Sequence, residues 1–598
     1  MNNQVNMAVH TSGDDPPVWD LSDLYNGMHS LELECDLEAA ESTADVFARD
    51  YMGKLATLHP DQFGGAIQEF EDFNECLSRI MSYAQLLFAA NSEDGEVAAF
   101  FQNMSERVTA MSAKTLFFEL EINRLKDAEV EVFLSSPAAV RYKPWLDNVR
   151  VNKPYQLSDE VERLLHKKSV TGRNAWSRLF DETMAGLRFK LHGRELTNSE
   201  IMTRMSDAKE ANRKAASKAF AKGLEENIRL FALVTNTLAK DKEIEDTWRT
   251  LPRPVSARNL GNQVEDDVVD ALSNAVRSAY PELSHRYYQL KADWMGKDVL
   301  NYWDRNAPLP EADNTRIEWH RARETVLGSY AAFEPALGEI ATQFFDKAWI
   351  DAEPRSGKDS GAFSHPTVPG AHPYILMNYH GKPRDVMTLA HELGHGIHQV
   401  LAAPQGHFLA NTPLTLAETA SVFGEMLTFQ SMLESTQDAS ARRVMLASKV
   451  EDMLNTVVRQ IAFYHFEERV HEERRHGELS VDRLGEIWME VQTKSLGPAF
   501  RYDDEYRNFW AYIPHFIHAP FYVYAYAFGD CLVNSLYNLF SIGHPQFQEK
   551  YLDMLRAGGA LRHKELLAPF DLDASDPAFW QRGLGIVSGF IDEIEKTL

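Results

Sequence analysis

The stretch LAHELGHGIHQV, residues 389–400, places three histidines and one glutamate within twelve residues. If it forms a helix, His391 and His395 are four residues apart and project from one face, a single turn from each other. Two imidazoles in that arrangement can bind one zinc ion, and Glu392 completes an H-E-x-x-H pattern in which it can act as the general base. The alternative is a solvent-exposed helix that is incidentally rich in histidine.

The flanking residues predict that this helix spans residues 383–401. Pro383 suits its first turn, and Pro404 suits a position just beyond its end. Gly394 and Gly396 lie in its interior, where each costs about 1 kcal/mol relative to alanine. Close approach of another backbone or of a substrate would offset that cost, so the two glycines favour a functional site over an ordinary surface helix.

A third metal ligand has to come from elsewhere in the chain. His398 lies about 10.5 Å along the helix from His391, too far for both to bind one tetrahedral ion. At most, His398 would contact a ligand of the ion rather than the ion itself. Downstream, TLAETASVFGEML (415–427) predicts a second helix with Glu418 and Glu425 on one side among apolar residues. Glu418 would be the third ligand, which leaves a fourth position for water, and Glu425 would orient a ligand histidine. For either glutamate, a paired core carboxylate is the alternative.

The aromatic segment IPHFIHAPFYVYAYAFGD (513–530) offers hydrogen-bond donors for an oxyanion. The candidates are His515 and the tyrosines Tyr522, Tyr524 and Tyr526. Helical periodicity places Tyr522 and Tyr526 on one face and Tyr524 nearly opposite. At least one of these tyrosines is expected to be a core aromatic residue with a hydrogen-bonded hydroxyl.

Helical periodicity dominates the rest of the chain, so the sequence predicts a mainly α-helical fold. The clearest strand signals are LRFKLHGREL (187–196), with a predicted hairpin turn at His192-Gly193, and HPYILMNY (372–379). RGLGIVSG (582–589) has the wrong glycine spacing for a dinucleotide-binding turn, and we predict a bend before the last helix there. We divide the chain into a helical N-terminal domain, residues 1–195, and a catalytic domain, residues 196–598.

Composition excludes several classes of partner and site. The formal net charge is −27, so nucleic acid and anionic membrane surfaces should be repelled. The longest weakly charged stretch, residues 520–540, contains Asp530 and two asparagines and predicts a buried helix rather than a membrane span. Three cysteines without a C-x-x-C pair exclude a disulfide framework and a thiolate zinc site. With no secretory signal in residues 1–17, we expect a cytoplasmic protein.

HELGHGIHQ and LAETASVFGE resemble the zinc-binding signature of thimet-oligopeptidase-type metallopeptidases, and of their bacterial oligoendopeptidase F branch in particular. The resemblance spans nearly the full length, because it extends to WDLSDLY (19–25), HRYYQLKADWMG (285–296), residues 361–392 and residues 513–530. It implies an elongated, mostly helical molecule of zincin type, with a small β-sheet next to the active-site helix. A deep channel between two halves, covered by the N-terminal domain, would be the place where short peptides are cleaved.

Carried over onto this sequence, the resemblance implies that His391, His395 and Glu418 bind one zinc ion per chain and that Glu392 is the general base. It favours Tyr522 and Tyr524, with His515, as the groups that contact the oxyanion. It also implies that the strand 372–379 runs beside the peptide and offers it backbone hydrogen bonds.

The segment SHPTVPGAHP departs from the form expected of that branch. Its histidines, His365 and His372, are either loop residues without a role or contacts to substrate side chains. The sequence therefore predicts a cytoplasmic zinc metalloendopeptidase that hydrolyses short peptides. One alternative is a zinc carboxypeptidase of helical zincin type, which needs a cationic clamp for the substrate C-terminus. A second is a non-catalytic peptide-binding protein, which is disfavoured because a structural zinc normally has four protein ligands.

Overall fold

The computed structural model describes residues 15–309 and 316–597, and its secondary structure is mainly α-helical, as predicted. Residues 1–14, part of the segment used to predict the absence of a secretory signal, lie outside the described residues. The chain forms two compact units. The first unit comprises Met1–Lys153, Asn314–Ser435 and Gly543–Phe570, and the second comprises Pro154–Asp313, Thr436–Ile542 and Asp571–Leu598. The predicted domain division at residue 195 stays a prediction.

The first unit contains the histidine-rich helix, which spans Pro383–Ala402 as predicted. Its N-terminal core is rich in phenylalanine, with Phe63, Phe70 and Phe118 almost fully buried. The described helices of this unit are Leu31–Tyr51, Pro60–Ala90, Gly95–Thr115, Phe117–Arg124, Asp127–Phe133, Pro137–Val140, Lys143–Arg150, Trp319–Phe333, Pro335–Asp346, Pro383–Ala402, Leu414–Ala417, Thr419–Ser435, Phe547–Arg556 and His563–Leu567.

A small three-stranded sheet lies beside the histidine-rich helix, as predicted. Its middle strand is Tyr374–Leu376, with Ile350–Asp351 parallel on one side and Phe363–His365 antiparallel on the other. Ser364 ties the edge strand to the helix, because its hydroxyl donates to Gln399 Oε1 at 2.9 Å and its carbonyl accepts from Gln399 Nε2 at 3.2 Å. The sheet therefore holds one strand against the same helix that carries the two candidate ligands.

The irregular segment ahead of the edge strand is anchored by a buried lysine. The side chains of Lys358 and Asp351 are both fully buried, with Lys358 Nζ 2.7 Å from Asp351 Oδ1. The same ammonium group donates to the carbonyls of Glu353 and Met377, at 3.0 and 2.6 Å. These bonds satisfy backbone groups that no strand pairs, and they fix the chain between the first strand and the edge strand.

The two helix-interior glycines allow close packing, as predicted. A Cβ atom built on Gly394 would lie 2.5 Å from the carbonyl oxygen of Ala420 and 2.6 Å from the Cα of Ser421, in the helix Thr419–Ser435. A Cβ on Gly396 would lie 2.6 Å from the ring of Phe344. Real Cβ contacts do not come this close. Only glycine at residue 394 therefore permits the approach between the histidine-rich helix and the helix Thr419–Ser435.

The second unit is built around the long helix Glu210–Trp248. The predicted hairpin is confirmed, with Phe189–Leu191 pairing antiparallel with Arg194–Leu196 and positive φ angles at both His192 and Gly193. Leu300–Asn301 and Phe500–Arg501 form a two-residue parallel pair. The other described helices are Asp159–Ser169, Arg173–Gly186, Asn198–Met205, Ser256–Gly261, Asp266–Ser278, Arg286–Trp294, Ala439–Thr456, Val458–Arg474, Val481–Leu496, His515–His518, Tyr524–Ser541 and Pro577–Glu595.

Two further predictions concern the C-terminal helices. The weakly charged stretch forms the helix Tyr524–Ser541, most of which is buried, as predicted. Across the described ranges, no helix is both long and apolar enough to cross a membrane. The predicted bend at residues 582–589 is wrong, because this stretch lies inside the continuous helix Pro577–Glu595. Gly583 is instead a packing position, since a Cβ there would lie 2.3 Å from the carbonyl oxygen of Cys531.

Substitution of Gly394 tests the close helix approach. We expect Gly394→Ala to lower the free energy of unfolding by about 1 to 3 kcal/mol, because the added methyl group meets backbone atoms that cannot rotate away. Gly585→Ala is the matched control, since that glycine is also in a helix interior but has nothing within 4 Å of a built Cβ. There we expect stabilisation of up to about 1 kcal/mol. Urea unfolding of both variants measures the difference, and equal effects would contradict the packing explanation.

Candidate metal centre

Three donor groups converge in the first unit. His391 and His395 project from adjacent turns of the helix Pro383–Ala402, with ring centroids 4.9 Å apart. Glu418 Oε2 lies 3.3 Å from His391 Nε2 and 3.6 Å from His395 Nε2. One donor atom from each of the three residues lies within 4.8 Å of the others. The structure thus brings together the two histidines and the distant glutamate that were predicted from the sequence.

The separations of these donors fit a tetrahedral ion. Donor atoms about 2.0 to 2.1 Å from a tetrahedral zinc ion lie about 3.4 Å from each other. The observed distances of 3.3 and 3.6 Å from Glu418 to the two imidazoles match that spacing. Two imidazole nitrogens and one carboxylate oxygen are also ligands typical of a catalytic zinc site. The residues present therefore fit the metal that the donor set implies.

The candidate ligands are held by neighbours in the same unit. Glu425 Oε2 lies 3.3 Å from His391 Nδ1, the ring nitrogen that faces away from Glu418. Ser421 donates a hydrogen bond of 2.7 Å to Glu418 Oε2. Tyr330 donates to the carbonyl of Ala390 at 2.8 Å and so fixes the helix next to the first histidine. Glu425 thus has the position predicted for a residue that orients His391.

His398 is not one of the three converging donors and lies on the buried part of the same helix. It is 6% exposed, and burial lowers its pKa to about 4. Its Nε2 atom has no hydrogen-bond partner within residues 15–309 and 316–597.

Glu392 is a buried carboxyl next to the candidate ligands, with 7% of its surface exposed. Burial is the largest influence on it and raises its pKa to about 7, while the charge of nearby Glu418 acts in the same direction. His391 and a hydrogen bond from the backbone of Ser364 oppose this rise. A carboxyl group whose pKa lies near neutrality can both accept and return a proton, as a general base and acid must.

Negative charge dominates the surroundings of the imidazoles. Burial disfavours a charged His391, but its hydrogen bond to Glu425 and the charges of Glu418 and Glu392 raise its pKa to about 9. Burial lowers the pKa of His395 to about 4. Three carboxyl groups around two imidazoles can accommodate a divalent cation, which would replace the proton that otherwise balances them.

The prediction of one helix over residues 415–427 is wrong in one respect. The helix Leu414–Ala417 ends at Glu418, and a second helix begins at Thr419. Glu418 therefore occupies a joint between two helices, where the Ser421 hydroxyl also bonds to its carbonyl oxygen at 3.2 Å. This local irregularity leaves its carboxylate directed at the two histidines.

In the second unit, His515 forms an aromatic cluster with Tyr522 and Tyr526. His515 Nε2 is 3.3 Å from the Tyr526 hydroxyl, and its ring lies parallel to that of Tyr522 at 6.1 Å. The rings of Tyr522 and Tyr526 meet edge to face at 5.2 Å. The pair grouped by helical periodicity is therefore the pair found beside His515.

The structure does not bring Tyr524 to this cluster, which corrects the pairing favoured by the family resemblance. Tyr524 is fully buried, and its hydroxyl accepts a hydrogen bond of 2.9 Å from Asn262. It lies at the start of the helix Tyr524–Ser541, so neighbours two residues away point in nearly the opposite direction. Tyr524 is the tyrosine that has the expected core role.

The strand Tyr374–Leu376 cannot pair with a peptide as the resemblance implied, because neighbouring strands occupy both of its edges. Phe363–His365, which contains Ser364, is one of the two outer strands of the sheet. His365 Nδ1 accepts the Thr367 N–H at 3.1 Å, and His372 stacks on Trp349 at 3.7 Å. Both histidines therefore have local structural contacts, and His365 belongs to a strand rather than to a loop.

Comparison with protein families gives two matches. A model described as Peptidase family M3 matches residues 203–586, and a model described as Oligopeptidase F matches residues 121–189. Among curated relatives, oligopeptidase PepF of Bacillus subtilis is 24% identical, covering 97% of this chain and 87% of its own length. The oligoendopeptidase F homolog of Borreliella burgdorferi is 26% identical, covering 97% and 98%.

Solved structures with the same fold are also found. A protein of Chlamydophila abortus superposes with a TM-score of 0.86 at 20% identity, covering 97% of this chain and 98% of its own. The oligoendopeptidase-F of Enterococcus faecium gives a TM-score of 0.69 at 22% identity, covering 95% and 97%. These similarities confirm the fold class.

Replacement of Glu425 tests its contact with His391. We expect Glu425→Ala to weaken Zn²⁺ binding by about 10- to 100-fold, because the imidazole loses the carboxylate that fixes its orientation. Chelator competition measures the affinity. Glu434→Ala is the control, since Glu434 is an exposed glutamate in the same helix, Thr419–Ser435. Unchanged affinity in Glu425→Ala would show that the contact does not support the metal site.

Proposed function

Because this chain belongs to peptidase family M3, we propose that it hydrolyses short peptides as a zinc-dependent endopeptidase, with one ion per chain held by His391, His395 and Glu418. The single observation that carries this proposal is the convergence of those three donors beside a buried glutamate. Three protein ligands leave a coordination position for water or substrate, which distinguishes a catalytic zinc from a structural one. The names of the curated relatives, oligopeptidase and oligoendopeptidase, support peptides as the substrates.

When bound, zinc supplies Lewis-acid polarisation of the scissile carbonyl and lowers the pKa of water. Glu392 takes the proton of the attacking water and later gives it to the departing amine. Burial favours this second step, because it raises the pKa of Glu392 and so helps the carboxyl to hold the proton. Glu425 keeps the imidazole of His391 in one orientation throughout.

The peptide backbone is proposed to lie along Phe363–His365, one of the two outer strands of the small sheet. Strand addition would supply main-chain hydrogen bonds that do not depend on the peptide sequence. Gln399 supports this role, since its two hydrogen bonds with Ser364 hold the strand against the helix that carries the ligands.

Hydrogen bonds to the oxyanion are proposed to come from His515 and Tyr522, with Tyr526 in place of Tyr524. The support is the aromatic cluster that these three residues form, together with the family resemblance of the segment that contains them. Donors of this kind act in the transition state and contribute most where water is excluded. We further propose a cytoplasmic location, because three cysteines without a C-x-x-C pair are typical of a reducing compartment.

The carboxypeptidase alternative makes a different demand on the substrate, because it needs a free C-terminal carboxylate. An internally quenched peptide blocked at both ends separates the two activities. We expect cleavage of the blocked peptide and loss of cleavage when zinc is removed by chelation. A length series read by mass spectrometry would define the size limit, and cleavage only of peptides with free C-termini would favour the carboxypeptidase.

Replacement of Glu392 tests the assigned base. We expect Glu392→Gln to retain about one zinc per chain and to lose turnover by about 10²- to 10⁴-fold, because the amide cannot accept the proton of water. Metal analysis and peptide cleavage measure the two quantities on one preparation. Glu418→Gln provides the contrast. It replaces the negatively charged carboxylate ligand with a neutral amide, so the zinc content should fall. Wild-type turnover in Glu392→Gln would remove this residue from the mechanism.

A further inference from the structure

A tight turn in the second unit precedes Tyr522. The backbone N–H of Tyr522 donates to the carbonyl of Ala519 at 3.0 Å, Pro520 follows Ala519, and Phe521 has a φ of +60°. Proline in the second position and a positive φ in the third are the features of a type II turn, whose third position favours glycine. A phenylalanine there is strained, so the surrounding structure has to hold the turn in this form.

Two ionisable side chains hold the central peptide group of this turn from opposite ends. Glu467 Oε1 accepts the N–H of Phe521 at 2.8 Å, and Arg258 Nε donates to the carbonyl of Pro520 at 3.2 Å. The orientation of this one peptide group distinguishes a type II turn from the commoner type I turn. A carboxyl on the N–H side and a guanidinium on the carbonyl side therefore select the observed orientation.

Glu467 is buried in a way that stability alone does not explain. It is 2% exposed, and its second oxygen has no hydrogen-bond partner among the described residues. It lines a cavity of about 20 Å³ together with His471, which is enough space for one water molecule. A buried carboxyl is costly compared with an apolar side chain. Burial raises its pKa to about 8, and the neutral carboxyl still accepts the Phe521 N–H through its carbonyl oxygen.

The same two residues are linked to the aromatic cluster. The guanidinium of Arg258 lies over the ring of Tyr522, 5.7 Å from its centroid. The ring of Phe521 packs between Tyr464 and His471, which flank Glu467 on the helix Val458–Arg474. Tyr522 is the last residue of this turn, so the conformation of the turn fixes the position of the Tyr522 Cα atom and the direction of its side chain.

We propose that Glu467, together with Arg258, positions Tyr522 for catalysis by fixing the Pro520–Phe521 peptide group. Neither side chain needs to touch the substrate in this role. The inference rests on the proposed function, because it assumes that Tyr522 contacts the oxyanion. Replacing a residue that acts only through Tyr522 should lower kcat and leave KM nearly unchanged, since the oxyanion develops only in the transition state.

Two substitutions of Glu467 separate positioning from general destabilisation. We expect Glu467→Gln to keep kcat within about threefold of the wild type, because the amide oxygen still accepts the Phe521 N–H. Glu467→Leu has a similar volume but no acceptor, and we expect its kcat to fall at least about tenfold, with KM within about twofold. Tyr464→Phe, on the same helix face, is the control and should leave both constants unchanged. Equal losses in the Gln and Leu variants would overturn the inference.

A double-mutant cycle on kcat identifies the residue through which Glu467 acts. We expect Tyr522→Phe to lower kcat by about 10²-fold, and Glu467→Leu to cause no further loss in that background. If the two losses multiply, the positioning role is overturned while the proposed function stands. If Tyr522→Phe has wild-type activity, the proposed role of Tyr522 fails and the inference fails with it.

Arg258→Met tests the other end of the peptide group and decides the question if Glu467→Leu does not fold. In the wild-type background we expect Arg258→Met to lower kcat at least about tenfold. In the Tyr522→Phe background we expect it to cause no further loss. Circular dichroism and zinc content of each variant confirm that the fold and the metal site are intact. A loss in Arg258→Met that multiplies with that of Tyr522→Phe would contradict the proposal.

Discussion

The close approach of two helices at Gly394 is the constraint on which the metal centre depends. The ligand histidines and Glu418 come from segments that are distant in sequence, and only a helix without a side chain at residue 394 can approach Ala420 and Ser421 so closely. The contact point lies between the two histidines on one helix and just after Glu418 on the other segment. The packing distance is therefore also the distance that brings the carboxylate to the imidazoles, and the cost of glycine in a helix is repaid by the geometry of the site.

This arrangement has an electrostatic consequence. Glu392, Glu418 and Glu425 surround His391 in a largely buried volume, where the charges of the carboxylates interact more strongly than in water. Without a cation, the cluster can reduce its charge only by keeping protons, as the raised pKa values of His391 and Glu392 indicate. A divalent ion serves the same purpose with fixed geometry. The assembly is thus better suited to binding a metal than to stabilising the fold by ion pairing.

Much of this centre could be predicted from the sequence, because it depends on helical periodicity. The helix predicted over 383–401 and the four-residue spacing of its histidines follow from local geometry, and the cost of Gly394 in a helix interior indicated a close approach without naming the partner. The helix interruption at Glu418 and the order of the strands could not be predicted from the sequence, because both depend on contacts between distant segments. Tyr524 was misplaced where the family resemblance was preferred to periodicity. Glu467 was missed because its helix, Val458–Arg474, also carries Glu468, Glu472 and Glu473, so the sequence does not mark this one glutamate as buried.

Lys358 and Glu467 illustrate a common physical solution in separate parts of the chain. Each is a buried ionisable side chain that bonds to backbone groups of an irregular segment, the carbonyls of Glu353 and Met377 in one case and the N–H of Phe521 in the other. Such segments cannot satisfy their polar groups through a helix or sheet, and an apolar side chain cannot replace the missing partner. A buried ionisable group at these positions therefore specifies the shape of the backbone, even where a hydrophobic residue would give a more stable core.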